Sequence, residues 1–158
     1  MRKLLCPLAV FLLTCSLFAA DSSPFVGAWK LNLAKSKYGG PMTPPKNEAI
    51  LILEQGDQRV DTAKGVRADG SPLSIENTFT NTGGEVKSLG FPAGTSVVVA
   101  KRKADSRITD WTITLPSRMR LIEHDVVSDD GKTMTSTLKG TDGQGRPFET
   151  VIVYDRQH

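Results

Sequence analysis

The chain has 158 residues, of which 39% are hydrophobic and 23% charged, and its net charge is +3 at neutral pH. This length suits one ordinary domain with enough chain to bury a hydrophobic core. The charge is too small and too evenly balanced to indicate a nucleic-acid-binding surface, so nucleic acid is not a predicted partner.

The first 20 residues have the pattern of a secretory signal peptide. A charged start, Met1-Arg2-Lys3, precedes residues 4–20, which contain no charged side chain. We therefore predict that residues 1–20 are a signal peptide and that residues 21–158 form one exported domain, periplasmic or extracellular.

The signal pattern allows two cleavage sites and, as an alternative, a lipid anchor. Cleavage after Ala20 places Phe18 where a small residue is preferred, whereas cleavage after Ser22 places Ala20 there. Acylation of Cys15 would anchor the domain to a membrane, although Thr14 stands where that signal prefers a small residue. Soluble export is the main prediction, and a membrane is a partner only if Cys15 is lipidated.

Both cysteines, Cys6 and Cys15, belong to the predicted signal peptide. The 158 residues less the first 20 leave a domain of 138 that contains no disulfide, thiol nucleophile or thiolate metal ligand. Because Arg2 and Lys3 are also removed, the net charge falls from +3 to +1.

The exported domain begins with an apolar strand, residues 25–31, and then becomes polar and rich in proline and glycine from Leu33 to Lys46. Pro44 and Pro45 lack amide donors, so this segment predicts a long loop over the mouth of the fold.

From Ala49 onward, short runs rich in β-forming residues alternate with turn signals such as Asp-Gly, which tight hairpins favour. The predicted strands are Ala49 to Glu54, Arg59 to Arg67, Leu73 to Thr80, Val97 to Lys103, Ile108 to Leu115, Arg118 to Val127, Thr133 to Lys139 and Phe148 to Tyr154.

Apolar and polar residues alternate within these runs; Trp111 and Ile113, for example, alternate with Thr112 and Thr114. The pattern predicts an all-β fold of about eight or nine antiparallel strands. Such a sheet hides its edges by closing into an up-and-down barrel or by stacking as a two-sheet sandwich, and the strand period fits both.

Two short motifs resemble those of the calycin barrels. Phe25-Val26-Gly27-Ala28-Trp29-Lys30-Leu31 is similar to the Gly-x-Trp strand of lipocalins and to the first strand of intracellular fatty-acid-binding proteins. Thr109-Asp110-Trp111 resembles the second lipocalin motif, and Arg156 and Arg146 are candidates for the late arginine that stacks on the tryptophan. The resemblance implies a lipocalin-like barrel whose floor is formed by Gly27 and Trp29.

The resemblance to fatty-acid-binding proteins is incomplete at two points. Their two helices after the first strand are replaced by the proline-rich Leu33 to Lys46, and Ile152-Val153-Tyr154 lacks the arginine of their Arg-x-Tyr carboxylate anchor. Residues 29–32, 34–37, 127–135 and 140–142 resemble a group of exported bacterial proteins called lipocalin-like, whose function is undefined. That likeness implies the barrel and no particular activity.

No catalytic or metal-binding pattern stands out in the exported domain. His124 is flanked by Glu123 and Asp125, which a strand places on the opposite face, and Asp129-Asp130-Gly131 is typical of a hairpin turn rather than a calcium loop. Glycine-rich phosphate loops are also absent. We therefore predict neither an enzyme nor a bound metal or cofactor.

The remaining candidate site is the barrel interior. Arg102 or Arg120, if directed inward, could bind an anionic head group; the alternative is that both arginines lie on the outer face. Trp111 and Tyr154 could line the pocket; the alternative is that they only pack in the core. We predict reversible binding of a small apolar or amphipathic ligand without catalysis. The alternative function is a packed barrel that serves as a protein-interaction or envelope-associated module.

Overall fold

The computed structural model describes residues 23–100 and 106–158. The predicted signal peptide, both cysteines and Arg102 lie outside the described residues. Within them, eleven strands form one antiparallel sheet: β1 (Gly27–Leu31), β2 (Asn47–Gln55), β3 (Gln58–Val66), β4 (Pro72–Thr80), β5 (Gly84–Glu85), β6 (Lys87–Leu89), β7 (Ser96–Val99), β8 (Ile108–Thr114), β9 (Arg120–Val127), β10 (Thr133–Thr141) and β11 (Pro147–Gln157).

The predicted all-β barrel is confirmed, with eleven strands in place of the expected eight or nine. Each predicted strand overlaps an observed one, and the two additional strands are β5 and β6, of two and three residues. Such short pieces beside a Gly-Gly turn carry too little alternation to be recognised in a sequence.

The sheet forms a nearly closed barrel. β1 pairs with both β2 and β11, which joins the start of the domain to its end. On the opposite side, β5 pairs with β7 and β6 pairs with β4, and only Val86 separates β5 from β6 along the chain. The segment from Gly84 to Leu89 therefore connects the two remaining edges, which favours a barrel over an open sandwich.

One end of the barrel is covered by the N-terminal segment and Trp29. The indole is fully buried, and its Nε1 donates a hydrogen bond to the Phe25 carbonyl oxygen at 2.8 Å. The Arg156 guanidinium lies 4.1 Å from the centre of the indole ring and donates to the Val26 carbonyl oxygen at 2.6 Å. Arg156, rather than Arg146, therefore stacks on Trp29.

Gly27 is required at this end for two reasons. Its φ of +134° lies in a region that residues with a side chain rarely adopt, and an added Cβ would lie 2.6 Å from Nη1 of Arg156. The glycine lets the arginine pass close to the first strand and reach the indole.

At the opposite end, the long β1–β2 loop lies along β11. Lys37 forms an isolated antiparallel bridge with Val151, and the Gly39 amide donates to Thr150 Oγ1 at 3.0 Å. The predicted mouth loop is therefore attached to the barrel wall by backbone contacts. Nowhere in the described ranges is there a helix with the length and apolarity needed to cross a membrane.

Candidate functional site

The barrel encloses an interior cavity of about 90 Å³. Most of its apolar lining comes from inward-facing residues of β2, β4, β7 and β8, namely Ile50, Ile52, Ile75, Val97, Trp111 and Ile113, and Ala63, Phe91 and Met134 complete it. At roughly 30 Å³ for each water, this space holds about three waters or a small chemical group. It is much smaller than the 300 Å³ or so that encloses a drug-sized ligand.

Charged and polar side chains from strands far apart in the sheet also line the cavity. We call this group the polar wall; it comprises Arg59 and Asp61 on β3, Glu123 and Asp125 on β9, and Ser136 on β10. Among the described residues, three carboxyl groups and one guanidinium therefore line the interior. Buried charges are costly unless they are paired, so their partners decide what this wall can do.

Arg59 is fully engaged by the protein. Its side chain is 1% exposed, and Nε and Nη2 donate to the two carboxylate oxygens of Asp61 at 2.6 and 2.7 Å. The guanidinium also lies over the Phe25 and Phe79 rings, 4.6 and 5.3 Å from their centres. This bidentate, stacked arrangement is a strong form of arginine pairing.

Asp125 accepts hydrogen bonds from two neighbouring strands. Trp111 Nε1 donates to one oxygen at 2.6 Å, and Ser136 Oγ donates to the other at 2.5 Å. Burial raises the pKa of Asp125, while these two donors act in the opposite direction and favour its charged form.

Glu123 lies two residues before Asp125 on the cavity-facing side of β9. Burial, followed by the charge of Asp125, raises the pKa of Glu123 well above the ordinary glutamate value. This direction favours the neutral form of Glu123, so the two carboxyl groups hold one proton between them.

This pair predicts an unusual dependence of stability on pH. Because the folded state holds the Glu123 proton more tightly than the unfolded state, its contribution to stability is complete below the unfolded pKa and is lost as pH rises through the folded pKa. We expect the melting temperature to fall from pH 5 to pH 8 in thermal scans monitored by circular dichroism.

Glu123→Gln should flatten that fall, because glutamine carries no proton to lose. The exposed Glu76→Gln on β4 is the matched control and should keep the wild-type slope. A wild-type melting temperature that rises from pH 5 to pH 8 would contradict this assignment of the proton.

A second pocket opens at the barrel end opposite Trp29. This mouth pocket has a volume of about 420 Å³, and its lining includes Tyr38, Met42, Pro45, Glu48, Leu73 and Ile152. Arg67 and Asp69 of the β3–β4 turn also line it. Glu48 and Ile50 are successive inward-facing residues of β2, so the mouth pocket and the interior cavity are neighbours along this strand.

Glu48 and Tyr38 are polar residues in the lining of the mouth pocket, and each is affected by its burial. Tyr154 donates from its hydroxyl to Glu48 Oε1 at 3.2 Å, and burial raises the pKa of Glu48. The buried Tyr38 hydroxyl has no hydrogen-bond partner among the described residues, and burial together with the Glu48 charge raises its pKa to about 12. A buried hydroxyl without a partner is uncommon in folded proteins and makes Tyr38 a candidate ligand contact.

The structure separates the residues proposed from the sequence as ligand contacts. Trp111 lines the interior cavity, whereas Tyr154 is buried at the Glu48 side. Arg120 is exposed and is not among the residues that line either pocket, and Arg102 lies outside the described residues. His124 is exposed, with Nδ1 2.6 Å from Asp110 Oδ1.

Sequence reasoning missed the polar wall. On β9, Glu123 and Asp125 share their parity with the buried Leu121 and Val127, and this shared parity was the available signal. Within the described residues, no group of three or more histidine, cysteine, aspartate or glutamate side chains is arranged to hold a metal ion.

No protein-family model matches the chain, and no curated protein matches it. Solved structures do match. One is the zebrafish ileal bile acid-binding protein complexed with cholic acid, which is 14% identical, with 85% of this chain and 100% of that chain covered and a TM-score of 0.49.

Two further matches are barrels bound to DFHBI. EF1p2_mFAP2b is 11% identical, with 85% of this chain and 94% of that chain covered and a TM-score of 0.44. The redesigned β-barrel mFAP1 is 13% identical, with 84% and 95% covered and a TM-score of 0.39. Identities this low carry no information about whether this chain binds a ligand.

Proposed function

We propose that this barrel reversibly binds a small amphipathic molecule whose apolar part lies in the mouth pocket. The observation that carries the proposal is the lining of that pocket: apolar side chains with a few convergent polar groups, including the unpartnered Tyr38 hydroxyl. This is the usual composition of a small-molecule site. No reaction is part of the proposal.

The interior cavity limits the size and placement of the ligand. At about 90 Å³ it cannot enclose a long acyl chain, whereas the mouth pocket offers about 420 Å³ in a more open setting. The ligand therefore inserts at most a small group into the interior, and its larger part remains under the β1–β2 loop.

A fluorescence titration with a neutral solvatochromic dye tests the proposal. Met42→Arg places a charge in the mouth pocket and should weaken dye binding by about tenfold or more, because an unpaired charge in an apolar site is costly. Leu33→Arg makes the same kind of change at an exposed position of the same loop and should bind like the wild type. The proposal would be contradicted if the wild type did not bind the dye, or if Met42→Arg bound it as tightly as the wild type does.

A second candidate is the packed barrel acting as an interaction module. The small interior favours it, and so do Leu51 and Leu53, which are 45% and 52% exposed on the outer face of β2. In that case the dye would not bind to the wild type under any condition in which the protein is folded.

Export is part of the same proposal, and its support is the signal pattern of residues 1–20. Intact mass measurement of the protein from its own cells should give an N-terminus at Asp21 or Ser23. A mass that corresponds to an acylated Cys15 would replace soluble export with membrane anchoring.

A further inference from the structure

The interior cavity has a polar wall whose charges do not balance. Arg59 pairs with Asp61, and among the described residues that line the cavity no other cationic side chain stands beside the Glu123 and Asp125 carboxyls. The raised pKa of Glu123 agrees with a proton held there in place of a cation. In a low-dielectric interior, a group that brings a positive charge is therefore favoured over one that brings a negative charge.

Arg59 does not offer an anion site. Both carboxylate oxygens of Asp61 accept from it, its remaining Nη1 lies 3.5 Å from Thr109 Oγ1, and it packs on the Phe25 and Phe79 rings. A ligand carboxylate would have to displace Asp61, which would leave that carboxylate buried without its partner. The hydrogen-bond donors of Arg59, the one deeply buried arginine of the described residues, are therefore already used within the protein.

Asp125 is held rigidly for binding a donor. Trp111 and Ser136 fix its two oxygens from β8 and β10, and Trp111 and Asp125 are 6% and 5% exposed. Glu123 lies two residues away on the cavity side of the same strand. A cationic donor that enters the cavity would meet a fixed carboxylate and a carboxyl that can release its proton.

We propose that the interior cavity binds the cationic head group of a small amphipathic amine, with the Glu123–Asp125 carboxyl pair as its counter-ion. This inference rests on the proposed function and names the chemical class of its ligand. An ammonium group suits a cavity with room for about three waters, and its apolar tail extends toward the mouth pocket.

Binding of the cation displaces the proton that Glu123 and Asp125 share. One proton leaves to solvent as one ammonium enters, so the charge of the wall is conserved and affinity for the cation increases with pH. The other charged or titratable groups that act on this pair come from β2, β3 and β11: Glu48, Arg59, Asp61 and Tyr154. Of these only Arg59 is cationic, and Asp61 already balances it.

Calorimetric titration of the full exported domain with three probes of equal chain length tests the inference. The probes are n-butylammonium, 1-butanol and butanoate, each measured at pH 5 and pH 8. We expect butylammonium to bind about tenfold or more tightly than butanoate at pH 8, and its affinity to increase from pH 5 to pH 8.

Glu123→Gln should lower the ratio of butylammonium affinity to butanoate affinity by about tenfold. It should leave the affinity for butanol unchanged, because the amide keeps the shape of the carboxyl. Glu76→Gln, an exposed change of the same kind, should keep the wild-type preference. If Glu123→Gln does not fold, the pH dependence of butylammonium binding to the wild type decides the question.

The outcomes separate this inference from the function on which it rests. Neutral dye and butanol binding together with equal or tighter binding of butanoate would overturn the cationic head group and leave the proposed function intact. A pH-independent affinity for butylammonium would overturn the role of the carboxyl pair. Failure of the dye and of all three probes to bind would overturn both.

Discussion

Replacing Trp29 with alanine is expected to lower the free energy of unfolding by about 3 to 5 kcal/mol, as truncation of buried large aromatic residues does. The indole is fully buried in a cluster with Phe25, Ile52 and Val127. Its removal would leave a cavity and would also remove the surface on which Arg156 stacks. Urea unfolding monitored by circular dichroism measures the difference.

Leu33→Ala is the control for Trp29→Ala, because Leu33 is 44% exposed on a loop and its truncation should change stability by less than about 0.5 kcal/mol. A loss below about 1 kcal/mol in Trp29→Ala would contradict the assignment of this residue as the barrel floor.

Asp61→Ala is expected to have a comparable effect, a loss of about 3 to 5 kcal/mol, because it leaves the Arg59 guanidinium buried without its carboxylate. Both hydrogen bonds from Arg59 to Asp61 would be lost from a site where Arg59 is 1% exposed. Urea unfolding again provides the measurement.

Two further variants separate the cost of an unpaired charge from the value of the ion pair. Arg59→Met combined with Asp61→Leu removes both charges and should be less destabilised than Asp61→Ala alone. Glu149→Ala breaks the exposed pair with Lys139, whose atoms are 3.0 Å apart, and should cost less than about 1 kcal/mol. A double variant as unstable as Asp61→Ala would show that lost packing, rather than the unpaired charge, is the cause.

The all-β fold could be predicted because most strands alternate clearly and are bounded by turn residues. β10 is an example: Met134, Ser136 and Leu138 are buried while the threonines between them are partly exposed. Closure could not be predicted in this way, since it depends on the short β5–β6 segment, whose pairing with both β4 and β7 is a long-range property.

The polar wall could not be found by the usual rule that polar residues face solvent. On β3 that rule places Arg59 and Asp61 outside, and on β9 it would turn Ile122 inward, yet Ile122 is 50% exposed. The register of the neighbouring strands overrides the polarity of these two strands. Arg59 and Asp61 form their ion pair from adjacent inward positions of one strand, so they enter the barrel together.

The stacking of Arg156 on Trp29 shows what short motifs can and cannot provide. Two arginines near the end of the chain were compatible with this role, and only the pairing of β1 with β11 distinguishes them, since it places Trp29 opposite Arg156. Arg146 instead interacts with Asp142 in the β10–β11 turn, with Nε 2.7 Å from Oδ2.

Native mass spectrometry of the protein purified gently from its own cells tests the central claim, binding of a small molecule in the barrel, most directly. We expect a population that carries one small molecule per chain and loses it when Met42 is replaced by arginine, because that change places a charge in the mouth pocket. Only unliganded protein, together with no binding of the neutral dye, would contradict the claim and leave the packed interaction module as the better account.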